Sequence, residues 1–297
     1  MSVATSPSDF LPVEPAAAPV VALRRAAVRG EAALSVRAEA GVTRLVDLHQ
    51  RDPLSLRLPR PARGDIFEAS LITTSGGIVG GDCLDVAVTA DADAQLRVYP
   101  QAAEKVYRSI GADSRIGVSL RASPGAWLEW LPQETILFEG ARLRRETRLE
   151  VEAGSRVLAG EFLVFGRSAS GETLTRGLIR DAWQLHSGGR LVWADALHLE
   201  GDLQRPLVSS ACLGGVTAFA SVIFVADDAA EQLAALRDLL PEEDEGSRHA
   251  LTAVNGVIVG RFLGEARAVR GSYGGFWAAA RAYLAGLPAE LPRLWHL

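Results

Sequence analysis

Lysine is almost missing from this chain: of its 31 basic residues, Lys105 alone is a lysine and the others are arginines. Basic charge is also in the minority, with a net charge of −5 and an isoelectric point near 5.6, which argues against a nucleic-acid partner. Cysteine is scarce. Cys83 and Cys212 form neither a disulfide framework nor a C-x-x-C metal site, so both are expected to act as small apolar residues in a reducing, cytoplasmic setting. The five histidines are scattered, with no H-x-x-x-H pair. No serine sits in a nucleophile elbow and no Gly-Lys-Ser/Thr triplet occurs, which removes the common hydrolase and P-loop signatures. No apolar run is long enough for a membrane-spanning helix, and no membrane association is expected. The first residues lack the basic start and apolar core of a signal peptide; rich in Pro, Ala and Ser, residues 1–20 are expected to be disordered.

What the chain has is β-patterned apolar sequence, 48% hydrophobic overall and long enough to bury a large core without staples. Period-two alternation begins near Glu31, and Gly41 lies between two such runs as a hairpin turn. Further strands start after small-residue turns near Asp93, Pro124 and Ala153, a rhythm of roughly thirty residues that suggests stacked strands in a β-helix-like or double-sheet arrangement. Asn255-Gly256 between alternating runs is a strong hairpin signal. Helical spacing appears late, over Ala229–Leu240 and Gly275–Leu287. The reading is mainly β, with two or three helices near the C-terminal end and one domain over residues 21–297.

The most unusual stretch is Thr73–Asp85, TTSGGIVGGDCLD. Gly76, Gly77, Gly80 and Gly81 give up four side chains in six residues, which calls for special backbone angles or a close approach of backbone to something else. The spacing is not G-x-G-x-x-G, and a strand follows instead of a helix, so a nucleotide loop is excluded. The bland alternative is a sharp turn capped by Asp82.

Four carboxylates sit in apolar or glycine-rich surroundings: Asp82, Glu134, Glu161 and Asp195. Each either faces solvent through the alternation or is buried with a partner. As a set they could line a hydrated path for a cation, because hard oxygen ligands exchange divalent ions without trapping them as thiolates would. Glu134 and Glu161 could alternatively be an acid and base pair of a carbohydrate-active β-helix enzyme. His198, in an apolar strand, reads as a core histidine. Phe276, Trp277 and Tyr283 are either anchors for a partner or core.

Several blocks resemble the UreD family of urease accessory proteins, called UreH in some organisms. The glycine stretch Gly76–Asp82 is the first. It is followed by Gln101–Ser109, which includes Lys105, Tyr107 and Arg108, then by Glu129–Glu134, Gly166–Glu172 and Leu291–Trp295. Two departures stand out: Thr73-Thr74-Ser75 replaces residues that are often prolines, and Glu104 stands where Thr or Ser usually precedes the lysine. The resemblance implies a non-enzymatic scaffold that binds apo-urease and UreF, with UreG recruited through UreF. It further implies nickel in transit and no tightly bound cofactor; joined to the apolar or glycine-rich setting of Asp82, Glu134, Glu161 and Asp195, that role makes these four the expected conduit acids. A structural adaptor with no metal path is the alternative.

Overall fold

A computed structural model describes residues 27–167, 170–242 and 246–296. The tail over residues 1–20, expected to be disordered, and Ser168 and Ala169 of the Gly166–Glu172 block lie outside the described residues. The chain opens with the expected hairpin, β1 (Arg29–Glu39) and β2 (Val42–Arg51), turning through Ala40 and Gly41, both at positive φ. β3 (Leu54–Arg57) then leads into a succession of stacked coils. The first coil has β4 (Phe67–Thr73) and β5 (Cys83–Ala90). The second has β6 (Gln95–Pro100), β7 (Glu104–Val106) and β8 (Ser114–Ala122). The third has β9 (Trp127–Trp130), β10 (Thr135–Leu137) and β11 (Arg142–Val151), and the fourth β12 (Arg156–Phe165) and β13 (Arg176–Ser187).

Each strand pairs in parallel with its counterpart one coil away. β5, β8, β11 and β13 make one sheet, with β1 added in parallel to β5. β4, β6, β9 and β12 make a second. A short third wall runs from Ile78 of the glycine stretch through β7 and β10 to the end of β12. The roughly thirty-residue rhythm is this coil. Antiparallel strands close the stack: β14 (Arg190–Asp202) on β13, and β15 (Ala218–Val225), β17 (Val257–Gly264) and β16 (Ser247–Val254) beyond β12. Asn255 and Gly256, both at positive φ, make the β16–β17 turn as the sequence predicts.

Parallel register stacks like residues in rows, and the rows between the two main sheets change character along the coil. Val88, Leu120, Leu149 and Leu185 form a purely aliphatic row. Four residues nearer the third wall, the row becomes Leu84, Ile116, Arg145 and Asp181. One end of the interior is therefore dry packing and the other is polar.

The outer face of the second sheet carries a row of alternating charge, Glu68, Arg97 and Glu129. All three are buried: Trp277 and Arg281 of the C-terminal helix reach Glu129, and the segment around Glu290 lies over Glu68 and Arg97. The shorter helices α1 (Gln204–Val208) and α2 (Leu233–Asp238) precede α3 (Ala266–Ala285), which starts nine residues before the predicted Gly275. Its glycines do not break it: at Gly274 a side chain would collide with the Trp295 indole, so the missing atom is what lets the C-terminal segment dock. Val269, Tyr273, Phe276, Trp277, Ala280 and Leu284 form its buried stripe, and Gly286, left-handed, ends it. Phe276 and Trp277 are thus core, while Tyr283 is half exposed and bonds Gln232.

Arg281 completes the charge row from α3. Its Nε lies 3.0 and 3.2 Å from the two Glu129 oxygens, and its Nη2 reaches Asp65 Oδ1 at 2.5 Å. Arg97 binds Asp65 at 2.6 Å and also Glu68. The indoles of Trp127 and Trp277 donate to Glu129 at 2.8 and 3.1 Å. Among the described residues no helix is long and apolar enough to cross a membrane.

Removing one member of such a network leaves buried charge uncompensated. Glu129→Ala is expected to cost about 3–5 kcal/mol in urea unfolding. Glu150→Ala, which breaks the surface pairs to Arg121 and Arg148, is expected to cost under about 1 kcal/mol.

Candidate functional site

The glycine stretch is the corner where the first coil passes beneath the second. Ile78 N–H donates to Lys105 O at 2.7 Å, and Tyr107 N–H returns a bond to Ile78 O at 2.9 Å. A Cβ on Gly77 would stand 2.4 Å from the Tyr107 ring, and one on Gly80 would stand 2.0 Å from Ser109 Oγ. What approaches the glycines is therefore the next coil. Gly76 and Gly81 take left-handed angles that favour glycine. Tyr107 donates its hydroxyl to Gly76 O at 3.1 Å and stacks edge-on against Phe138. Arg108 lies against Gly140 of the third coil, and Lys105 points to solvent.

Behind this corner, where the two main sheets meet the third wall, is a cavity of about 260 Å³. Its lining includes Thr73, Gly76, Gly77 and Glu104 together with Thr135, Thr147, Arg145 and Trp183. It is the polar end of the interior described above. Arg145 is committed there: it binds Asp181 through Nε at 2.9 Å and through Nη2, and it donates to Thr135 Oγ1 at 2.9 Å.

The four acids singled out in the sequence are not brought together. Asp82 is buried and accepts the backbone N–H groups of Val28 and Val79, each at 3.0 Å, so it caps the glycine turn. Glu134 is held by Arg270 of α3. Asp195, on β14, is held by Arg261 of β17. Glu161 points into the space between the sheets, where Trp183 Nε1 donates to it at 2.5 Å and Ser221 Oγ at 2.7 Å. Burial, with the Asp181 charge beside it, pushes the Glu161 carboxyl up to about 8, against the pull of Arg145. Glu134 and Glu161 share no open cleft, so the glycosidase pair is not assembled. Among the described residues no group of three or more His, Cys, Asp and Glu side chains is placed to hold a metal ion. His198 is exposed on the outside of β14, 3.7 Å from Glu200, because β14 is a sheet edge whose outer face is uncovered.

Glu104, which the sequence marks only as a departure from the family pattern, is a residue of the site. It lies in register with Thr135 across β7 and β10 and faces the cavity. Thr73 Oγ1 donates to it at 2.5 Å, so the two departures from the family pattern are in contact. Burial raises its carboxyl, opposed by that hydrogen bond, by the Lys105 N–H and by the Lys105 charge. The signal available in the sequence was the unusual glutamate itself.

Two outcomes follow from this geometry. Gly77→Ala, forced against Tyr107 at a φ of +135°, is expected to lower stability by about 1–3 kcal/mol in thermal unfolding. Glu161 keeps its proton in the folded chain from the ordinary range near 4.5 up to about 8, while the unfolded chain has lost it. Its contribution to stability therefore falls as pH rises through that window and changes no further above it. Glu161→Gln is expected to flatten this part of the stability–pH curve, read by urea unfolding across the same range.

Comparison with known proteins gives the arrangement its context. A family model described as UreD urease accessory protein matches residues 28–296. The chain is 46% identical over 274 residues to the urease accessory protein UreD of Magnetococcus marinus, covering 91% of this chain and 94% of that one. It is 42% identical over 279 residues to the urease accessory protein UreD of a Methylobacterium species, covering 92% and 96%. With that of Granulibacter bethesdensis it shares 41% identity over 240 residues, covering 80% and 98%. The chain belongs to the UreD family: it is a urease accessory protein and not a catalyst.

Proposed function

We propose that the chain is a cytoplasmic scaffold for urease maturation that binds apo-urease and UreF, with UreG joining through UreF, and that nickel passes through its interior on the way to the urease active site. The observation that supports a metal path is the cavity of about 260 Å³ at the polar end of the coils, in a family of urease accessory proteins. Its lining offers carboxylate, hydroxyl and amide oxygens and no thiol; Cys212 is exposed and Cys83 is half-buried elsewhere. Such donors release a divalent ion readily. In this reading Glu161 serves the inner end of the path, and Asp82 holds the glycine corner that forms its outer wall. Glu134 and Asp195 act through their arginine partners, fixing α3 to the third wall and β14 to β17.

A structural adaptor without a metal path is the second reading, favoured by the ion pairing of Glu134 and Asp195. One experiment separates the two. The chain, UreF and apo-urease are co-expressed and run on size-exclusion chromatography, then the whole urease cluster is expressed with Glu161→Gln. The scaffold reading expects a co-eluting complex, and the metal path expects that the variant keeps co-elution but lowers the nickel content of urease severalfold. Unchanged nickel content with intact co-elution favours the adaptor. The absence of any complex removes both.

A further inference from the structure

We infer that the cleft over β3, β4 and β6 is a docking site for an acidic peptide segment of a protein partner. Which protein supplies that segment rests on the scaffold reading; the cleft belongs to this chain alone. On the outer face of the second sheet, the row of Glu68, Arg97 and Glu129 lies under α3 and the segment around Glu290. The next row is Arg57, Ser70 and Tyr99, in register across β3, β4 and β6. All three residues line a cleft of about 810 Å³. Its walls include the loop after β3, with Pro59 and Arg60, and the C-terminal segment, with Pro292 and Arg293. Two features of this cleft call for a ligand. The first is a pair of buried polar groups with nothing to bind. Ser70 is 3% exposed and its hydroxyl has no hydrogen-bond partner; Arg97 is 1% exposed and its Nε–H has none. The acids beside them are already engaged: both oxygens of Asp65 and both of Glu68 accept bonds from Arg281, Arg97 and Tyr99. A guanidinium N–H can only donate, so the missing partner is an acceptor. An acceptor oxygen brought from outside removes the cost of leaving such donors unpaired.

The second feature is charge. Arg57, Arg60 and Arg293 line the same cleft, and among the described residues none of them has an ion-pair partner. Arg57 spends only Nη1, on Ser55 Oγ at 2.7 Å and Leu56 O at 2.9 Å. Glu290, an exposed lining acid, offsets one of the three. The chain as a whole carries −5, so this excess of arginine is a local reversal of sign. Free guanidinium forks suit carboxylates, which they take through two parallel bonds. The arginines come from two separate segments, so the carboxylates must be presented at more than one point. A peptide does that and a small monoacid does not. Pro59, Leu291 and Pro292 offer apolar wall for the peptide's uncharged residues.

The test uses the purified full chain and a fluorescein-labelled peptide of alternating glutamate and leucine, read by fluorescence anisotropy at low salt. Arg57→Glu and Arg60→Glu are each expected to weaken binding at least about tenfold, and salt raised to about 0.5 M should weaken it in wild type. Ser70→Ala is expected to weaken it about threefold. The Ser70 hydroxyl bonds nothing in the free chain, so this variant should keep the wild-type unfolding temperature, and its weaker binding is then no folding effect. Arg205→Glu, outside the cleft, should bind as wild type does. Equal affinity in wild type and both charge reversals overturns the inference, as does equal binding of a peptide with glutamine in place of glutamate. Displacement of the peptide by equimolar succinate also overturns it, because the ligand would then be a small acid. The same chains are run with UreF and apo-urease on size-exclusion chromatography. Arginine-dependent peptide binding by a chain that forms no complex would leave the cleft standing and remove the maturation reading; a complex without peptide binding does the reverse.

Discussion

The buried row of charge on the second sheet decides where everything C-terminal to it lies. Glu68, Arg97 and Glu129 have little solvent to face once α3 and the segment after it are in place, so Arg281, Asp65 and the two indoles satisfy them together. That requirement places α3 and the segment after it. Arg281 also binds Pro288 O and Glu290 O, and Arg97 binds Glu290 O at 3.2 Å, so the chain beyond the helix is drawn back over the sheet. Leu294 O and Trp295 O then meet Gln133 and Arg270. The cavity wall formed by Trp130, Pro132 and Gln133 is the continuation of the strand that carries Glu129. The clamp and the cavity are thus two faces of one segment.

Much of the architecture is legible from spacing alone. The small-residue turns near Asp93, Pro124 and Ala153 mark the coil corners, and they stack on one another: Asp93 N–H donates to Pro124 O and Gly125 N–H to Gly154 O, each at 3.1 Å. Asn255-Gly256 and Gly41 mark their hairpins because left-handed angles are cheap only for a few residues. The family blocks also acquire physical content. Arg167 pairs with Glu172, Glu172 accepts Glu139 N–H at 2.9 Å, and Trp295 is buried against Tyr273.

The candidate site was less legible, and the reason is the same in each case. Alternation reports which side of a strand a residue occupies and says nothing of what covers that side. Glu129 and Arg97 look like surface positions but lie under α3 and the segment after it, whereas His198 looks buried but lies on an uncovered edge. Asp195 and Glu134 sit among apolar neighbours, yet arginines far along the chain reach them. Glu104 was noticed only as an unusual residue, because its neighbour Thr73 is 31 positions away and only the coil brings them together. The early start of α3 escaped for a related reason: glycine propensity counts against a helix, and the docking of Trp295 on Gly274 is a tertiary fact.

The clamp also orders events in time. The coils pair over short stretches of sequence, so each can dock on its predecessor soon after it is made. The contact between Asp65 and Arg281 spans 216 residues. Until the last helix emerges from synthesis, Asp65, Glu68, Arg97 and Glu129 belong to a sheet face that remains hydrated, and the stack cannot close over it. Contacts of such long range form late, after the entropy of the intervening chain has been spent locally. The C-terminal helix is therefore the step that converts a stacked, open-faced chain into the finished protein, and a ribosome that stops short of it releases a polypeptide whose charges still belong to water.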